Sequence, residues 1–178
     1  APMTGHLLNK RMNRTVYGGN TSGAVTSKYR PVIIFRLAEF YLLYAEMLNE
    51  VEPGNSDVLK YVNLVRQRAG LDDLEVLNPA IKGNQTLQRE AIRRESRIEL
   101  ATEGQRYFDV RRWMIADKAP GEGGQGGDFT GMNVDQAQPA YYTRTKVQTR
   151  IFKNKIYLYP IPLDEIKRSN VLVQNPGW

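Results

Sequence analysis

The chain has 178 residues, 41% hydrophobic and 25% charged, with 25 Lys and Arg against 19 Asp and Glu and a net charge of +6. That length fits one domain with a real hydrophobic core, and the composition excludes a disordered chain. No cysteine is present, which removes disulfides, thiolate zinc sites and cysteine nucleophiles together.

Residues 1–30 are polar and rich in glycine, notably YGGNTSG at 17–23, and read as loop or linker. No basic start followed by an apolar run opens the chain, so no signal peptide is expected within it. The single histidine, His6, falls in this segment, and one terminal imidazole does not make a metal site. Tyr29-Arg30-Pro31 leads into a first helix over about Ile33 to Val51. Its apolar set is Leu37, Phe40, Tyr41, Tyr44, Leu48 and Val51, in three- and four-residue steps. Arg36, Glu39 and Glu46 break this apolar stretch, so it falls short of the roughly 20 residues a membrane span needs.

Pro53-Gly54-Asn55 ends that helix. Ser56 is expected to cap a second helix, Asp57 to Ala69, with Val58, Tyr61, Val62 and Val65 as its apolar stripe and Gly70 as its stop. The short turn makes the two helices an antiparallel hairpin. A loop over 71–84 follows. A third helix is expected from about Thr86 to Glu103, an interruption at Gly104, and a fourth helix from Gln105 to about Ala116. Residues 117–150, which hold PGEGGQGGDFTG, read as a long loop, with the glycine-rich segment 121–127 as a mobile tip. KIYLYPIP at 155–162 alternates like a short strand. Pro162 then opens a final helix over about Leu163 to Lys167, and the C-terminal tryptophan in QNPGW is expected to tuck against the body. The fold class is therefore mainly α: helix pairs spaced like a helical repeat, with long loops and one or two short strands near the C-terminus. Two such pairs are fewer than repeat arrays usually need.

The densest chemistry lies in RIELATEGQRYFDVRRW, Arg97 to Trp113. Glu95 and Glu99 are one helical turn apart and border the stripe of Leu87, Ala91 and Ile98. A partly buried carboxylate needs a partner, and the nearby candidates are Arg94, Arg97, Arg106, Arg111 and Arg112, whose planar forks suit it. Gly104 tolerates the positive φ of a sharp bend. The expected object is an ion-pair knot clamping the third helix to the fourth. Two other readings use the same residues. A glycosidase built on Glu95 and Glu99 needs one protonated acid, which adjacent arginines oppose. A nucleic-acid patch needs free cations, yet the seven arginines between Arg89 and Arg112 stand among five acids.

Four runs, FRLAEFYLLYAEMLNE, YVNLVRQRAG, RRESRIELATEGQRYFDVRRW and YLYPIPLDEIKRSNVLVQNPGW, occur in that order and resemble the C-terminal part of SusD/RagB proteins. The resemblance spans about Arg30 to Trp178. It departs from the family pattern at Ser96, where the family usually has Arg, at Thr102, often an aromatic, and at Gln105, often His. The resemblance implies a helical, tetratricopeptide-like fold without enzymatic activity. It implies capture of an oligosaccharide or polysaccharide at the cell surface, and a TonB-dependent outer-membrane transporter as partner. It further implies an outer-membrane location through an N-terminal lipid anchor that lies outside this chain. No cofactor and no nucleic acid are expected.

Sugars are held by aromatic faces with convergent planar polar groups. On that logic the candidate ligand contacts are Tyr17 in YGGNTSG and Tyr141, Tyr142 and Arg144 in PAYYTRT. The competing role for each tyrosine is packing with a satisfied hydroxyl. A helical-repeat scaffold that binds protein and no glycan is the alternative function. No Lys-Ser/Thr follows the glycines at 121–127, so they form no phosphate loop.

Overall fold

The computed structural model describes residues 3–6, 8–10, 12–16, 28, 29 and 31–178. By its contacts the chain separates into two compact units, Arg30–Tyr107 and Ala1–Tyr29 with Phe108–Trp178.

The first unit is helical. Helix α1 spans Leu37–Val51 and α2 spans Ser56–Arg68. They form the expected hairpin, and α4, Gln85–Glu99, packs against both. A single turn, α3 at Leu74–Leu77, and a 3-10 turn at Pro79–Ile81 fill the connection. Leu42, Ala45, Val58, Val62, Val65, Ile92 and Leu100 make the core. Each of the larger side chains contributes on the order of 1.5–3 kcal/mol by leaving water. The end contacts fix direction. Asn49 near the end of α1 exchanges hydrogen bonds with Gln85 at the start of α4, at 3.0 and 3.1 Å, so those two helices run antiparallel.

The helix start and the inward faces differ from the sequence reading. Helix α1 begins at Leu37, not Ile33, because Arg36 has extended backbone, φ −149°. Its buried face is Leu42, Ala45, Glu46 and Asn49. Leu37, Phe40, Tyr44, Met47 and Val51 are exposed instead. Tyr41 and Leu48 of the expected set do pack against the core; the helix is apolar on two sides, so periodicity also took in its outer stripe, and such all-round hydrophobicity belongs to helices inside larger cores. On α4 the buried residues are Gln88, Ile92, Glu95 and Ser96, while Ile98 is exposed. Polar residues at inward positions hid that face from an apolar count.

The helix ends follow backbone geometry. Asn55, not Ser56, caps α2 by accepting from the Asp57 amide at 3.0 Å. At its C-terminus Gly70, φ +75°, donates to Gln67 O and Leu71 donates to Arg66 O, a Schellman closure. Helix α4 stops at Glu99 rather than Glu103, and Thr102 and Gly104 both take positive φ beyond it. Helix α5 spans Gln105–Arg112. It ends four residues early because Met114 adopts φ +53° and the Met114 and Ile115 amides close onto Arg111 and Val110.

The second unit carries a two-stranded antiparallel sheet, β1 Gly127–Met132 with β2 Arg144–Arg150. Both strands lie in the segment expected to be loop. The segment expected to be a strand is a 3-10 turn at Asn154–Tyr157 followed by irregular chain. Pro160 and Pro162 lack the amides a ladder needs. The segment at 121–127 is no loose tip. Gly124 donates to Ala119 O at 2.9 Å and Gly126 to Lys118 O at 3.0 Å. A Cβ on Gly124 would sit 1.9 Å from Lys118 O, so only glycine fits. Helix α6, Leu163–Arg168, forms one residue longer than expected. Trp178 tucks in as expected: its indole donates to Lys155 O and Leu158 O at 2.9 and 3.1 Å.

Candidate functional site

Carboxylates of the charged joint are paired internally: Asp109 with Arg112, three residues on, at 3.0 Å, and Glu95, Glu99 and Glu103 with arginines from elsewhere in the chain. Glu95 pairs with Arg66 of α2, and both side chains are nearly buried, at 8% and 9% exposure. Arg66 also donates to Asp72 O at 2.8 Å. Glu103 receives both Nε and Nη2 of Arg36, at 2.8 and 2.9 Å. The same guanidinium pairs with the Glu99 side chain and donates Nη2 to Glu99 O at 2.7 Å. Arg68 reaches Glu99 from α2 at 2.6 Å.

Arg36 thus neutralises two acids and satisfies a carbonyl at the end of α4. Its pKa is raised, first by the Glu103 hydrogen bond, against the opposing effect of burial. The knot ties α4 to α2 and to the start of α1. The sequence signals were available: Arg36 interrupts an apolar run, and Arg66 and Arg68 sit in LVRQRAG. Glu95 is thus paired with Arg66, and Glu99 with Arg36 and Arg68.

Charge is unevenly divided. Residues 30–107 hold eleven Arg and Lys against twelve Asp and Glu, a balance of −1, and the remaining residues hold fourteen against seven, +7. The basic excess therefore belongs outside the helical unit.

The candidate ligand contacts separate in the structure. Tyr17 lies outside the described residues. Tyr141 is half-buried; its hydroxyl donates to Gly5 O at 3.1 Å, so it packs and ties down the early segment. Tyr142 crosses it edge to face, centroids 5.4 Å apart, and is 57% exposed. Gln138 donates to the Tyr142 hydroxyl at 2.9 Å. Arg144 is exposed at the start of β2, opposite Met132. Tyr142 and Arg144 therefore stand two residues apart, both exposed. His6 is exposed, and among the described residues no cluster of His, Cys, Asp or Glu could hold a metal.

Two depressions lie among the described residues. In the helical unit Leu74, Leu77, Leu87 and Ala91 line one of about 200 Å³, rimmed by Arg94 and Glu90. That is below the usual size of a small-ligand site, roughly 300–1,000 Å³. In the other unit an open depression of about 500 Å³ lies at the end of β2, lined by Gln125, Gln148, Arg150 and Phe152 among others. Sequence reading missed it, though Gln148-x-Arg150-x-Phe152 carries the planar polar and aromatic groups expected of a sugar contact.

Comparison with known proteins gives these features a family. A model of the SusD family matches residues 1–178. SusD-like protein P2 of Formosa agariphila is 32% identical over 90% of this chain and 28% of its own length. SusD-like protein P25 of the same organism is 34% identical over 80% of this chain and 23% of its own. The crystal structure of a SusD-like protein from Bacteroides fragilis superposes with a TM-score of 0.68 at 38% identity, covering 83% of this chain and 26% of that one. The chain thus spans about a quarter of the length of these relatives. The helical, tetratricopeptide-like fold agrees with the sequence reading, and the chain belongs to the SusD family.

Proposed function

We propose that this chain is the C-terminal portion of a non-enzymatic glycan-capture protein of the outer-membrane surface. The full-length protein is anchored through an N-terminal lipid and works as the lid and receptor of a TonB-dependent transporter. It recruits an oligosaccharide or polysaccharide, and closure of the lid delivers the glycan to the transporter. The observation that carries this reading is the family match along the whole chain.

Two features support it. The outer stripe of α1, from Leu37 to Val51, is exposed here, as suits a helix that packs on further helices of a longer polypeptide. Tyr142 and Arg144 offer an aromatic face beside a planar cation, the pairing that sugar recognition uses. In this reading Tyr142 and Arg144 touch the glycan, Tyr141 positions Tyr142, and Tyr17 is a further contact.

Native electrophoresis of the full-length protein through gels cast with single polysaccharides tests the function. Retardation by at least one polysaccharide is expected, together with co-purification of a β-barrel transporter from native membranes. Unchanged mobility in every gel, with specific capture of a soluble protein instead, supports the scaffold alternative and sinks the proposal.

A further inference from the structure

The depression at the end of β2 carries its own chemistry. Its central group is Arg150, whose guanidinium stacks over the Phe129 ring at 4.1 Å. Arg150 Nε donates to Gln148 Oε1 at 3.3 Å. Arg111 repeats the arrangement: it lies over Phe152 at 5.4 Å, and its Nη1 donates to Gln125 Oε1 at 3.3 Å. Arg150 and the two amides, Gln148 and Gln125, thus line one open volume of about 500 Å³, with Arg111 bonded to the second amide.

The register explains why these groups converge. Phe129 pairs with Gln148 and Thr130 with Lys146, so Val147 is the extra residue of a bulge. Partners across a ladder share a face, and neighbours along a strand oppose. Gln148 and Arg150 therefore share the face of Phe129. Arg144 and Lys146 project from the other face, with Thr130 and Met132. Without the bulge Arg144, Lys146, Gln148 and Arg150 would line one face. The bulge splits them, and turns Arg150 onto the ring that holds it flat.

We propose that this depression binds the acidic group of an anionic saccharide, a carboxylate or sulfate ester carried on a sugar ring. A guanidinium pinned by stacking is pre-organised for two parallel hydrogen bonds to such an oxyanion. Gln148 and Gln125 supply amide groups for ring hydroxyls, and Phe152 supplies an apolar wall. The charge of +7 outside the helical unit favours an anionic ligand over a neutral one. This inference rests on the glycan-capture reading and names the ligand class.

The test is isothermal titration of the full-length protein with oligogalacturonate, a sulfated chondroitin oligosaccharide and a neutral glucan oligosaccharide. The first two distinguish carboxylate from sulfate. The variants are Arg150→Gln, Arg150→Lys and, on the opposite face, Lys146→Gln. Near-ultraviolet circular dichroism checks that each variant is folded. Both Arg150 variants are expected to weaken binding of at least one acidic oligosaccharide about tenfold or more. Lys146→Gln, which removes the same charge, is expected to change it less than about twofold. Arg150→Lys binding like the wild type, or Lys146→Gln losing as much as Arg150→Gln, overturns the site in favour of diffuse charge. Binding of the neutral oligosaccharide alone overturns the acidic class but leaves glycan capture standing. Binding of none of the three, with no polysaccharide retarding the protein, removes both.

Discussion

Replacing Glu95 by Gln probes the buried end of the ionic knot. The substitution keeps shape and an acceptor oxygen but removes the charge opposite Arg66. Both side chains of the pair are under 10% exposed, so the cation left behind is poorly solvated. Breaking one member of such a pair costs about 3–5 kcal/mol; with an acceptor retained, the lower end, about 3 kcal/mol, is expected. At roughly 2–4 °C per kcal/mol for a chain of this size, the melting temperature falls by about 6–12 °C. Arg68 is the internal comparison. It also pairs with a glutamate of α4, but it is 62% exposed, so Arg68→Ala should cost less than about 1 kcal/mol. The assay is urea unfolding followed by circular dichroism, with Arg66→Met, Glu95→Leu and their double variant forming a cycle. Replacing both charges by apolar groups should cost less than either single change. Strictly additive losses, or a Glu95→Gln effect no larger than that of Arg68→Ala, would refute the buried pair.

Other changes follow from the same geometry. Gly124→Ala drives a methyl group into the Lys118 carbonyl and should lower stability by about 1–3 kcal/mol, read as a lower urea midpoint. Gly70 and Met114 both occupy positive φ at helix ends. A Cβ at Gly70 meets nothing within 4 Å, so Gly70→Ala costs only its strain, about 1 kcal/mol. Met114→Gly, at an exposed side chain, should stabilise by up to about 1 kcal/mol in the same titration. The Arg89 hydrogen bond lowers the Glu50 pKa from its ordinary 4.5. That stabilisation is fully present above pH 4.5 and is lost as pH falls through the depressed value. Arg89→Gln should therefore lower the melting temperature by about 1–2 °C at pH 6, a gap that closes toward pH 3.

Helix existence was legible because it rests on short-range signals. The turn Pro53-Gly54-Asn55, the stop at Gly70 and the bend at Gly104 all act within a few residues of the feature they control. Helix facing was less legible. Helix α1 is apolar on two sides, and α4 buries Gln88, Glu95 and Ser96, so neither announces its inward face by hydrophobicity. The strands were hidden for a related reason. GDFTGM and RTKVQTR bury little, with only Gly131 fully enclosed, so no apolar alternation marks them. KIYLYPIP shows alternation but has no partner strand and two prolines. The knot was foreseen in kind, yet its partners Arg36 and Arg66 lie 63 and 29 residues from the glutamates they meet. Such pairings depend on the packed fold, and local spacing does not encode them. Tyr142 and Arg144 were legible as exposed groups. The Arg150 depression depends on a bulge at Val147, which appears only once the two strands are in register.

The most direct test of glycan capture is a microarray of purified polysaccharides and oligosaccharides probed with the fluorescently labelled full-length protein. The account predicts concentration-dependent binding to a restricted group of glycans, reduced in a Tyr142→Ala/Arg144→Ala variant that melts like the wild type. A blank array at micromolar protein, from a sample with the native circular dichroism spectrum, would contradict it.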